Sequence, residues 1–164
     1  MRTEKQKSTS PQNIMQVFQM ANLEVAESNN VDDMIGAYDR VIKFCSSSAE
    51  CRNETSTKRN VLLYWAYSNI AKSYKSKNKP DEASKYYEKA LSVAVSKLQK
   101  TLALEALLNI CDKENLKLVD KCRKIIRISN ELIDIYRHDK NNKDLKRIVN
   151  LSEKTLEILK KAEI

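Results

Sequence analysis

Apolar positions along the chain recur at three- and four-residue steps, the spacing that lines one face of an α-helix. Ile14, Val17, Phe18, Ala21 and Val25 form the first such stripe. Ser10 as N-cap and Pro11 at the first helical position predict its start, because proline has no N–H to lose there. "SNNVDD" breaks the pattern, and Asn30 or Asp32 caps the next helix with acids near its positive end. Met34, Ala37, Tyr38, Val41 and Ile42 make the second stripe. The polar segment "CSSSAECRNETST", residues 45–57, reads as a loop. A third helix over roughly 58–77 carries Leu63, Tyr67, Ile70 and Tyr74, with Ala66 and Ala71 at its flanks.

Pro80 disfavours helical geometry at Lys79 and suits the first turn of a following helix. No Pro or Gly occurs beyond it, so 81–111 reads as one long helix or as two joined around 96–100. "CDKEN" near 111–115 is the next break, followed by a helix over about 115–139, the "HDKNNKD" turn and a last helix over about 143–162. The pattern predicts six or seven helices, mostly antiparallel to their neighbours because the connections are short.

Composition agrees. Among 164 residues there are one Gly and two Pro, too few breakers for the tight turns of an all-β fold. Short β-branched runs bounded by turns, as in βαβ units, are missing. The fold class is all-α, with residues 1–9 a disordered tail and 10–164 one domain carrying the 45–57 loop as an insertion.

Within that domain one unit recurs. "DDMIGAYDRVI" at 32–42 matches "DEASKYYEKAL" at 81–91, pairing Met34 with Ala83, Tyr38 with Tyr87 and Val41 with Ala90. The same shift places Phe18, Ala21, Asn22 and Val25 under Tyr67, Ile70, Ala71 and Tyr74. A more degenerate copy has Leu132, Ile133 and Tyr136 in its first helix, then Leu145, Val149 and Ser152 in its second. Small residues at a crossing let two helices approach while large ones fill the space beside them. The order over 64–97 resembles the tetratricopeptide repeat, a helix–turn–helix unit of 34 residues. Tyr67 stands for that family's usual Trp, Ala71 for its Gly and Val95 for its closing Pro. The resemblance implies a right-handed superhelix of antiparallel helix pairs, working as an adaptor, scaffold or chaperone-like module that holds a protein segment in its concave groove.

In that register the groove side of the first helices offers Trp65, Ser68, Asn69, Lys72 and Lys75, with Gln16, Gln19, Met20 and Leu23 before them. The last unit adds Arg127, Asn130, Glu131, Asp134 and Arg137. Trp65 lies almost opposite the predicted buried face, where an indole suits a partner anchor unless the 45–57 loop covers it. Gln19 and Leu23 stand where a carboxylate-clamping repeat would place lysine and asparagine, so clamping of a peptide terminus is not expected.

The net charge of +8 favours an acidic partner, with the positive excess lying beyond Phe44. Two basic faces, Lys113, Lys117, Lys121 and Lys124, and Lys143, Arg147, Asn150 and Lys154, offer nucleic acid as an alternative partner. Aromatic residues do not interleave with them as a single-strand binder needs. Self-association through unmatched end repeats is a third reading. Cys45, Cys51, Cys111 and Cys122 fit no common zinc spacing, and one histidine, His138, makes a Cys/His cluster improbable. They read as small packing residues of a reduced, cytoplasmic protein. "MRTEKQKSTS" has no signal-peptide core, and no run is long and apolar enough to span a membrane. A lone glycine, Gly36, allows no phosphate-cradling loop and reads as a close-packing position, and no nucleophile–base spacing appears. No enzyme activity, cofactor or metal is expected.

Overall fold

The computed structural model describes residues 13–49, 51, 55–138 and 143–162. Among them seven α-helices and no strand occur: α1 (Ile14–Glu27), α2 (Val31–Ser47), α3 (Ser56–Ser76), α4 (Pro80–Val93), α5 (Lys97–Cys111), α6 (Leu118–Tyr136) and α7 (Lys143–Ala162). Each helix packs chiefly against its sequence neighbours, and α1 also reaches α3. Such neighbour-by-neighbour packing is that of a TPR-like helical repeat, in which adjacent hairpins bury one another.

Local chemistry sets the helix starts. Asn13 caps α1, its side chain accepting from the Gln16 N–H at 3.1 Å. The expected cap at Ser10 and Pro11 lies outside the described residues. Asn30 caps α2, accepting from the Asp32 N–H at 2.9 Å, and Asp32 and Asp33 occupy the first turn. The 45–57 loop is shorter than expected, because α2 continues through Cys45 to Ser47 and α3 begins at Ser56 on a Thr55 cap. Asn78, at φ 55°, takes the left-handed conformation that asparagine tolerates, turning the chain into Pro80 at the start of α4.

Residues 81–111 form two helices, parted at 94–96. The joint is a capping box. Ser96 accepts from the Gln99 N–H at 3.1 Å, and the Gln99 side chain accepts from the Val95 and Ser96 N–H groups at 2.9 and 3.3 Å. Serine with glutamine three residues on satisfies orphan donors at a helix start, so no breaker residue is needed.

Three apolar clusters make the core, and α3 supplies buried residues to all of them. Leu62, Ala66 and Ile70 join Val17, Ala21, Ala37, Tyr38 and Val41. Ala71 joins Ala83, Tyr87, Leu104, Leu107, Ile128, Leu132 and Ile148. Tyr64 joins Ala90 and Ala103. The buried face of α3 therefore differs from the sequence stripe: Leu62, Tyr64, Ala66, Ser68, Ile70, Ala71 and Ser73 are buried. Leu63, Tyr67 and Tyr74 are only half-buried, Tyr67 and Tyr74 lying against Tyr86 at ring distances of 6.3 and 5.5 Å. The cause is contact on several sides, which leaves no single apolar face for a helical-wheel reading to find.

Gly36 does not serve close packing. A methyl group there would meet only the Arg40 guanidinium, at 4.0 Å. Gly36→Ala therefore adds helix propensity without a clash, and stability in urea melts should rise by about 0.5–1 kcal/mol.

The basic face of α6 is partly built into the fold. Lys121 donates to the Asp112 carbonyl at 2.9 Å. Lys124 reaches both Glu114 oxygens, at 2.9 and 2.8 Å, and the Ser84 hydroxyl of α4 at 2.6 Å. The Glu114 and Lys124 side chains are only 5% and 17% exposed. Removing one member of such a pair strands the other charge, whereas removing both is far milder. Lys124→Met should cost about 3 kcal/mol, and adding Glu114→Leu should restore most of it in the same melts.

Candidate protein-binding face

Helix α3 holds the central residues of the predicted groove. Val61, Trp65, Asn69 and Lys72 follow one another at helical spacing on its least covered side. Trp65 is half-buried, resting edge-on against Tyr64 with ring centroids 5.1 Å apart. It packs with Tyr67, Leu91, Val93 and Ala94 against the cluster of Tyr64, Ala90 and Ala103. The cluster beneath it thus draws on α3, α4 and α5, and the residue is not fully buried.

Lys72 and Lys75 are exposed in the last turns of α3. Asn69 serves the fold as well, since burial raises the Tyr38 phenol pKa and a hydrogen bond with Asn69 partly offsets that rise. The Tyr38 hydroxyl also donates to Asn22 at 2.9 Å, so Asn22, Tyr38 and Asn69 tie α1, α2 and α3 together. Ser68 is 3% exposed and lies inside the helix stack, facing away from any partner.

Gln16, Gln19, Met20 and Leu23 are exposed on α1, Leu23 at 65%. They flank the helix that touches α3, so the first two helices of the predicted groove adjoin.

The C-terminal candidates are not brought to this face. Arg127 bridges Glu88 of α4 at 2.6 Å and Glu131 at 3.0 Å. Asn130 accepts from Ser152 of α7 at 3.5 Å, and Arg137 pairs with Asp134 at 3.3 Å. Among the described residues, these three contact α4, α6 and α7 rather than α1 or α3. The physical reason is their place on α6, which packs between α5 and α7.

One apolar patch escaped the sequence reading. Leu98 is 65% exposed, and Val95 and Leu102 are also exposed, beside Lys97 and Lys100 at the start of α5. Leu102 precedes Ala103, which belongs to the cluster beneath Trp65. The available signal was Leu98 and Leu102 one turn apart among lysines, but the same spacing describes an ordinary buried stripe. A cleft of about 320 Å³ adjoins it, lined by Val95, Lys97, Lys100, Asp134, Ile135 and His138.

Charge differs sharply between these helices. Helix α3 carries Lys58, Arg59, Lys72 and Lys75 and no acidic residue. By contrast, Glu24, Glu27, Asp32 and Asp33 line an open cleft at the α1–α2 turn. Among the described residues no group of three or more His, Cys, Asp or Glu is arranged to hold a metal. None of the described helices is long and apolar enough to cross a membrane.

Comparison with known families places this geometry. Residues 64–94 match the tetratricopeptide repeat model, so the α3–α4 hairpin is a TPR-like repeat unit within an all-helical stack. Comparison with curated proteins returns no match. The matched motif supports a protein–protein interaction module, with other proteins as the general class of partner.

Proposed function

We propose that the chain is a non-catalytic interaction module that takes an acidic protein segment bearing an apolar side chain along the first helices α1, α3 and α5. One observation carries this reading: on α3 the half-exposed Trp65 is followed on the same side by Lys72, in a helix without a single acid. An accessible indole gives a hydrophobic anchor, and unopposed lysines around it attract and orient carboxylates. Met20 and Leu23 extend the apolar surface on α1, and Leu98 and Leu102 extend it on α5, where Lys97 and Lys100 add positive charge. The adaptor or scaffold role rests on the matched repeat motif, which supports a protein–protein interaction module. Nucleic acid is disfavoured because Lys121 and Lys124, the two lysines of the 113–124 basic stripe that lie on α6, are held by the protein itself.

Selection from a random peptide library tests the proposal. Enriched peptides should carry two or more acidic residues beside a large apolar one, and should shift the emission of the chain's one tryptophan. Lys72→Glu with Lys75→Glu should weaken them at least tenfold, and added salt should do the same in part. Trp65→Ala should weaken binding by about 2 kcal/mol while costing about 1–2 kcal/mol of stability, since the ring is half-buried. Enrichment of neutral or basic peptides, or binding indifferent to the lysine reversals, would refute the acidic-segment reading.

A further inference from the structure

We propose that Cys45 and Cys51 are a redox modification site, forming a reversible intramolecular disulfide at the connection between the α1–α2 and α3–α4 hairpins. Their sulfurs lie 3.0 Å apart. An S–S bond of about 2.05 Å is reached by a movement of about 1 Å. Independent features hold the two thiols in place. Cys45 sits in the last turns of α2. Cys51 is wholly buried in the cluster that holds Val41, Leu62 and Ala66. Two hydrogen bonds lie between them: the Ser48 N–H donates to the Phe44 carbonyl at 2.9 Å, closing the end of α2, and the Cys51 N–H donates to the Ser48 hydroxyl at 3.4 Å. Ser48 thus ties Cys51 to the end of the helix that carries Cys45. Cys111 differs, since its sulfur meets the Lys121 carbonyl at 4.0 Å and burial pushes its thiol up to about 11.

The oxidant is a small-molecule disulfide such as oxidised glutathione. Cys45 is half-buried and Cys51 fully buried, so Cys45 reacts first. Its thiolate attacks one glutathione sulfur, breaks the S–S bond and expels a glutathione thiolate. Cys51, its proton released to solvent, then attacks the Cys45 sulfur and expels the second glutathione. In total the protein gives up two electrons and two protons, and oxidised glutathione becomes two reduced molecules. Burial raises the Cys45 thiol, followed by the effect of neighbouring Cys51, so thiolate is scarce at neutral pH and the reaction quickens as pH rises. The product ties the end of α2 covalently to the core beneath α3.

Both cysteines fall in one tryptic peptide, residues 44–52, because no lysine or arginine separates them. The test equilibrates the full native chain with defined ratios of reduced and oxidised glutathione. Acid quenching, denaturation, alkylation with N-ethylmaleimide and digestion follow. The expected peptide 44–52 is two hydrogens lighter and unalkylated, while Cys111 and Cys122 carry the alkyl group. A synthetic 44–52 peptide in the same buffers should show an oxidation constant at least tenfold smaller, because it lacks the fold that brings the sulfurs together. By linkage the oxidised chain should melt about 4 °C above the reduced one. Cys45→Ser and Cys51→Ser should each abolish both the light peptide and the melting shift. A native oxidation constant no larger than that of the free peptide, or only glutathione adducts on 44–52, would overturn the proposal.

Discussion

Close approach of helices across alanine is the constraint on which the rest of this structure depends. Ala37, Ala66, Ala71, Ala83, Ala90 and Ala103 are all essentially inaccessible and lie where neighbouring helices meet. A larger side chain at such a crossing would force the axes apart and strip contacts from the tyrosines and leucines packed around it. Helix α3 shows this most clearly, joining all three clusters through Leu62, Tyr64, Ala66, Ile70 and Ala71. Because helices pack mainly on their sequence neighbours, stability is closely a sum of hairpins and the interfaces between them. Removing the middle hairpin would separate the clusters from one another.

The same economy explains which charged groups are available to a partner. Lys124 bonded to Ser84, Arg127 paired with Glu88, and the bond from the Asn115 N–H to Asp81 all pin α6 or the segment before it to α4. Basic residues on α6 thus serve the stack, while those on α3 have no acid of their own helix to meet. Seating the middle first helix among several neighbours leaves no residue between Arg59 and Ala71 fully exposed, and Trp65 is among those only half-buried.

Much of this was legible in the sequence. The helical spacing, the Asn30 cap and Pro80 at a helix start each rest on local chemistry, and each appears in the structure. The joint at 94–96 was also written locally, as Ser96 followed by Gln99, a signal easily missed when breaks are sought only at Pro and Gly. What local reading lacked was knowledge of neighbours. The buried side of α3 is set by helices packed on several sides, so Leu62 and Tyr64 displaced Leu63 and Tyr67 from the core. Ser68 went inside for the same reason, and Arg127, Asn130 and Arg137 were claimed by α4, α6 and α7. The Cys45–Cys51 contact falls between residues six apart, a spacing that helical periodicity does not bring together.

Native-state hydrogen exchange, read residue by residue, tests the stacking account most directly. Amides of α3 and α4 should be the slowest to exchange, with protection falling toward α1 and α7, because a terminal helix has fewer interfaces to lose. Equal protection of α7 and α3, or loss of all seven helices in one step at one free energy, would contradict it.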